Sequence, residues 1–267
     1  MAYNFGLTAE DYTKHRAGFP DEFFNRVFNE GIVRKGDSLV DLGTGTGTLS
    51  RGFAMRGCKV VGVDISAQLL EQARELSERQ QLDIEFRFAK AEETGLPDES
   101  FDVVSAGQCW HWFDRPRAGA EVMRLLKPGG VVLIAHFDWL PLDGNVVDLT
   151  EKLIQKYNPA WYERFGNKAG VYPDWYRDLG EAGFENIVSF SFDMDVPYTA
   201  DGWRGRIRAS SGVGASLPDE EVGRFDAEFK TLLEGLNQAD VKDEPGDAPM
   251  LQIPHRVFVL HARKHAS

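Results

Sequence analysis

Cysteine is scarce. Cys58 and Cys109 are the two in 267 residues, and their separation matches neither a disulfide framework, a redox pair nor a zinc site. A reducing compartment is the better fit. Long apolar runs are missing too: the longest, "VVLIA" at 131 to 135, is far too short to cross a bilayer. The opening "MAYNFGLTAEDYTKHR" lacks the apolar centre of a secretory signal, so a cytoplasmic protein with no membrane partner is expected. Positive charge is in deficit, with 30 Lys and Arg against 42 Asp and Glu and a formal net charge of -12. That field repels phosphate-rich nucleic acid and leaves a small molecule as the expected partner. No internal repeat and no linker rich in Gly, Ser or Pro divides the chain. The histidines at 15, 111, 136, 255, 261 and 265 do not meet carboxylates or thiols at ligand spacing, so no metal is expected.

What remains is an ordinary globular composition, 42% apolar, with enough length to bury a substantial core. Apolar runs alternate with helical patterns. "SLVDL" at 38 to 42, "KVVGVD" at 59 to 64, "IEFRFAKA" at 84 to 91, "FDVVSAGQ" at 101 to 108 and "VVLIAHF" at 131 to 137 read as strands. Between them "TLSRGFAMRG", "SAQLLEQARELSERQQ" with Ser66 as its N-cap, and "RAGAEVMRLLK" read as helices. Strands separated by helices imply parallel pairing through right-handed crossovers, hence a doubly wound α/β fold with a mostly parallel, Rossmann-like sheet. After residue 138 the rhythm breaks. "YPDWYRDLGEAGF" reads as a helix, "ENIVSFSFDMDV" and "HRVFVLHARK" as returning strands, and "PDEEVGRFDAEFKTLLEGL" as a helix with Val222, Phe225, Phe229 and Leu232 on one face. The expectation is one domain over 1–267, with a core at about 30–138, 171–195 and 251–264 and a helical cap at about 1–29, 139–170 and 196–250.

The first strand runs into "DLGTGTGT". Glycines at 43, 45 and 47 permit a sharp turn and a close ligand approach, but the spacing is D-x-G-x-G-x-G rather than the G-x-G-x-x-G of a dinucleotide cradle. Asp41 would repel a pyrophosphate and suits a ligand carrying an ammonium or sulfonium charge. Asp64, at the end of the second strand, stands where an acid accepts hydrogen bonds from ribose hydroxyls.

Taken in order, "VDLGTGTGTLS", "VVGVDIS", "AKAEETGLPDESFDVVSAGQCWHWFD" and "EVMRLLKPGGVVLIAHF" resemble the class I S-adenosylmethionine-dependent methyltransferases. Within that class they are similar to the trans-aconitate methyltransferase-like small-molecule enzymes. The resemblance spans about residues 36 to 138 and implies a seven-stranded sheet and S-adenosyl-L-methionine as cofactor. It places Asp41, Gly43, Thr44 and Gly45 around the methionine moiety, Asp64 on the ribose, Ile65 against the adenine, Ala91 and Glu92 at the adenine edge, and Gln108 beneath the sulfonium. "DYTKHRAGFP" is similar to a Y-x-x-x-R-P-x-Y-P segment, which makes Tyr12 and Arg16 candidates for the cofactor's carboxylate end, although Ala17 and Phe19 depart from that pattern.

"QCWHWFD" follows the fourth strand, at the carboxyl edge where ligands of such folds bind. His111 can act as a general base, as a hydrogen-bond donor to the acceptor, or as a structural loop residue, and a base is needed only if the accepting atom carries a proton. Trp110 and Trp112 can wall the acceptor site or can be packing. In "GWRGRIRAS", Arg204 and Arg208 share a helical face and can read an anionic substrate, or can form a solvated surface. The expected activity is methyl transfer to an oxygen, ahead of a nitrogen or carbon, of a small acceptor that is anionic, as with a carboxylate, or hydroxylated. The alternatives are S-adenosylmethionine binding without turnover and a nicotinamide-dependent oxidoreductase. The oligomeric state is not legible.

Overall fold

The computed structural model describes residues 18–161, 170–236, 241–242 and 250–266. Tyr12 and Arg16 lie outside them. Two compact units make up the chain, a core of 18–137, 172–192 and 257–267 and a cap of 1–17, 138–171 and 193–256.

The core begins with α1 (Asp21–Asn29), then β1 (Ser38–Leu42), α2 (Thr48–Met55), β2 (Lys59–Asp64), α3 (Ala67–Arg79), β3 (Ile84–Phe88) and β4 (Phe101–Gly107). A 3-10 turn at Trp110–Trp112 leads to α4 (Arg115–Leu125) and β5 (Leu126–Trp139). α5 (Val146–Tyr157), α6 (Asp174–Glu181), β6 (Glu185–Tyr198), α7 (Ala200–Arg208), α8 (Asp219–Glu234), the two-residue β7 (Val241–Lys242) and β8 (Met250–Arg263) complete the order among the described residues. Seven strands lie side by side as β3-β2-β1-β4-β5-β8-β6, with β7 added to β8.

β1 pairs in parallel with β2 and β4, β2 with β3, and β4 with β5. β8 runs against β5, because Gly129 near the start of β5 donates to Lys264 while Leu140, just past its end, donates to Pro254. The doubly wound, mostly parallel fold is therefore as the alternating pattern implies. Leu39, Val40, Asp41 and Leu42 are all buried, as expected of a central strand covered on both faces. Val40, Leu42, Val104 and Ile134 share one apolar cluster with Val122 and Leu125 of α4 and Leu179 of α6.

Two differences from the sequence reading concern boundaries. Helix α1 belongs to the core unit rather than the cap, since Phe23 and Phe24 pack edge-on against Phe53 of α2, at 6.2 and 5.3 Å between ring centres. β5 starts five residues before "VVLIAHF", because "LKPGG" is itself extended. In the cap, Trp203, Phe225, Phe229 and Leu233 form a separate apolar cluster; of the face predicted for α8, Phe225 and Phe229 are buried and Val222 and Leu232 half-buried, with Leu233 as the third buried position. Among the described residues, no helix is long and apolar enough to cross a membrane.

Candidate active site

From β1 the chain runs outward through β2 and β3 and then returns to the other side of β1 as β4. The β1/β4 boundary is thus the switch point where a crevice opens at the carboxyl ends of the strands. The glycine turn sits there. Gly43 has φ +64°, and a Cβ on it would lie 2.8 Å from Cys109 Sγ, so this glycine is required both by backbone and by the packing of the loop after β4. Gly45 has φ +56°, yet no heavy atom lies within 4 Å of where its Cβ would be. Its backbone is open to approach.

Asp41 is only 1% exposed. Ser105 Oγ donates to its Oδ1 at 2.7 Å and Ser50 Oγ to its Oδ2 at 2.9 Å. Since the Ser50 proton is committed to Asp41, the 2.8 Å contact between Thr44 Oγ1 and Ser50 Oγ requires Thr44 to donate. Burial pushes the Asp41 carboxyl up to about 6, partly offset by these hydroxyls. The acid expected to surround a ligand directly is therefore turned inward. Its charge acts through the Thr44–Ser50 chain and through its field, and the reason is that a strand-end side chain on a doubly covered sheet points into the core.

Asp64 is held differently. The backbone N–H of Gly45 donates to Oδ2 and that of Ser66 to Oδ1, both at 2.8 Å, which ties the end of β2 to the glycine turn. Burial raises its pKa, against the lowering by these backbone donors. Ile65 beside it is 66% exposed, and Phe88, paired in register with Asp64 across β2 and β3, is 68% exposed. Two large apolar side chains thus stand in solvent next to a carboxylate. Ala91 is buried, and Glu92 accepts from the Asp114 backbone N–H at 2.9 Å, fixing the start of α4. Gln108 has φ +58°, rare for a residue with a Cβ, and its amide donates to the Phe137 carbonyl at 2.8 Å. It pins the end of β4 to β5.

Of the aromatics in "QCWHWFD", Trp110 is wholly buried and its indole donates to Asp178 Oδ2 at 3.2 Å. The expectation that it walls an acceptor site is corrected: it is part of the apolar core, held by an acid 68 residues away that spacing cannot reveal. Trp112 and His111 are exposed. The His111 ring lies 5.3 Å from that of His136, a buried residue of β5. His136 Nδ1 is 2.9 Å from Tyr172 Oη, and Tyr172 stacks on Trp175 at 3.9 Å. Sequence pattern does not single out His136, Tyr172 or Phe88. The usable signal for His136 was a histidine interrupting the apolar run "VVLIAHF".

Arg204 and Arg208 are corrected as well. Arg204 donates from Nε and Nη2 to Asp226 at 3.1 and 2.5 Å and from Nη1 to Asp201, while Arg208 Nη1 donates to Asp226 at 2.8 Å. Their forks serve an acid of α8.

The family described as a methyltransferase domain matches residues 40–134. An uncharacterized methyltransferase of Schizosaccharomyces pombe is 25% identical over 88% of both chains. A demethylmenaquinone methyltransferase of Clavibacter sepedonicus is 33% identical, covering 57% of this chain and 68% of its own. This chain is a class I S-adenosylmethionine-dependent methyltransferase. In fold the methyltransferase is also similar to a phosphoethanolamine N-methyltransferase of Haemonchus contortus solved with S-adenosylhomocysteine, at 19% identity and a TM-score of 0.56, over 98% of this chain and 57% of that one. Membership sets the nicotinamide alternative aside. S-adenosyl-L-methionine is the cofactor, and the open backbone at Gly45, the carboxylate of Asp64 and the exposed Ile65 and Phe88 fit an adenosine-bearing ligand.

Proposed function

We propose that this methyltransferase methylates an oxygen of a small, carboxylate-bearing acceptor, in keeping with the trans-aconitate methyltransferase-like enzymes its motifs resemble. When bound, S-adenosylmethionine supplies an electrophilic methyl group for in-line transfer, so the chain's own task is to hold the acceptor in line and exclude water. Asp64 accepts the ribose hydroxyls, Ile65 and Phe88 flank the adenine, and Ala91 and Glu92 border its edge. Gly43, Thr44 and Gly45 present backbone to the methionine moiety, over the negative field of Asp41. Gln108 supports the strand end beneath, and Tyr12 and Arg16 are assigned to the methionine carboxylate from the resemblance.

The observation that carries the acceptor side is the exposed His111 backed by His136 and Tyr172. An imidazole there donates a hydrogen bond to a carboxylate, and with an ionised acceptor no proton has to leave. Trp112 stands beside it, at 4.7 Å between ring centres. A labelled-methyl assay across small carboxylic acids, phenols and amines tests the reading. A methyl ester is expected, and turnover confined to amines would remove it.

The name of the Clavibacter relative favours a second reading, a quinol-type acceptor. Such an acceptor carries a proton, and His111 would then serve as general base. The same assay with a demethylated quinol distinguishes the two.

A further inference from the structure

Arg206 differs from the two arginines that flank it on α7. Its guanidinium forms no hydrogen bond or ion pair with any described residue, whereas Arg204 and Arg208 share Asp226. Instead its Cζ lies over the Trp139 ring, 4.8 Å from the centroid. A cation over a ring face is held there by the ring's quadrupole, which takes up none of the N–H donors of the fork. Burial pushes the guanidinium below its ordinary range, and the opposing pull of Tyr198 and Asp138 does not restore it. The Asp138 carboxylate is within electrostatic reach of Arg206 but outside ion-pair distance.

Arg206 stands beside an aromatic cluster, in which Trp139 and Tyr198 both pack on Trp203, with ring centres 5.5 and 5.4 Å away. Tyr198 is 8% exposed, and its buried hydroxyl has no hydrogen-bond partner among the described residues. Its ring lies 5.4 Å from that of Trp203, which fixes it in place. His255 is buried, donates from Nδ1 to the Ile253 carbonyl at 2.8 Å, and is pushed down to about 4, so at neutral pH it adds no competing positive charge. A buried hydroxyl and a cationic fork, both without an acceptor among the described residues, carry a desolvation cost that proteins seldom leave unmet. A planar anion meets both, since a carboxylate accepts two parallel bonds from a guanidinium.

We propose that Arg206 and the Tyr198 hydroxyl form a binding site, within the cap, for the carboxylate of a small organic acid. The inference rests on the proposed carboxylate-bearing acceptor only for which acid is bound. It replaces Arg204 and Arg208, whose charge is already neutralised, as the anion-reading group.

The test uses the full chain saturated with S-adenosylhomocysteine, and calorimetry with trans-aconitate, phenylacetate and hexanoate, each beside its amide. At least one acid is expected to bind while its amide does not. Arg206→Gln is expected to weaken that binding roughly 10- to 100-fold, and Tyr198→Phe roughly threefold to tenfold, the range for hydrogen bonds to a charged group. S-adenosylhomocysteine affinity should stay unchanged in both variants. Equal binding of acids by wild type and Arg206→Gln, or of acids and their amides, overturns the site, and so does binding of none of the three acids. If Arg206→Gln fails to bind S-adenosylhomocysteine and so has not folded, Tyr198→Phe decides in the same way, unchanged affinity overturning the site. Labelled methyl transfer separates this site from the acceptor reading. An acid that binds through Arg206 and is methylated supports both, whereas one that binds without turnover supports the site and removes the acceptor role.

Discussion

At the core's sheet edge, negative charge is held by neutral groups: Asp41 by two serine hydroxyls, Asp64 by two backbone N–H groups. On the cap helix α7, positive charge at Arg204 and Arg208 is held by an opposite charge, Asp226. The contrast decides what each region offers a ligand. Neutral donors stabilise a carboxylate without cancelling it, so the edge keeps a net negative field for a cationic methyl donor. An ion pair cancels, and the Asp226 cluster contributes to stability rather than to recognition. Arg206 follows the pattern of the core, as a charge that no described residue neutralises.

The largest expected effect comes from breaking the turn on which the core's side of that contrast depends. Gly43→Ala forces a left-handed backbone on a residue with a Cβ and drives that Cβ into Cys109, and should cost about 2–4 kcal/mol in denaturant unfolding. Loss below 0.5 kcal/mol would show that the turn is not held as described.

Asp41→Asn sharpens the electrostatic half. The folded pKa of Asp41, about 6, stands above its ordinary 3.8. Its contribution to stability is therefore fully present below pH 3.8 and is lost as pH rises through about 6. At pH 7.5 the asparagine variant should be more stable than wild type, by at most about 3 kcal/mol, with the advantage vanishing near pH 4. The same variant should bind S-adenosylmethionine, which carries the sulfonium, more weakly. A gain in stability with no loss of affinity would mean the buried charge does not serve the ligand.

In the cap, Asp226→Asn should lower stability by about 1 kcal/mol, because two arginines lose a half-buried partner. Apparent KM for the acceptor should not move. A several-fold change in KM would return Arg204 and Arg208 to the substrate side.

Much of the core was readable because parallel strands announce themselves as short apolar runs closed by glycine or an acid. "SLVDL" and "KVVGVD" coincide with β1 and β2, and Ser66 caps α3 by accepting from the Leu69 N–H. The glycine spacing likewise separates a methionine-derived ligand from a pyrophosphate on sequence alone. Partners distant in the chain were not readable. Nothing local in "WHWF" points to Asp178, and nothing in "RGRIR" says that two of its arginines face Asp226 while the middle one faces Trp139. Helical spacing supplies a face, and only tertiary packing supplies its partner. Phe88 is illegible for a related reason: its place beside Asp64 follows from the β2–β3 register, which the sequence does not encode locally.

The seat built by the glycine turn and Asp64 is tested most directly by titrating S-adenosylhomocysteine into wild type and Asp64→Ala by calorimetry. One site per chain is expected, weakened in the variant by roughly 1 to 3 kcal/mol as ribose hydroxyls lose their acceptor, with no binding of NAD to either protein. Unaltered affinity in Asp64→Ala, or binding of NAD in place of S-adenosylhomocysteine, would contradict it.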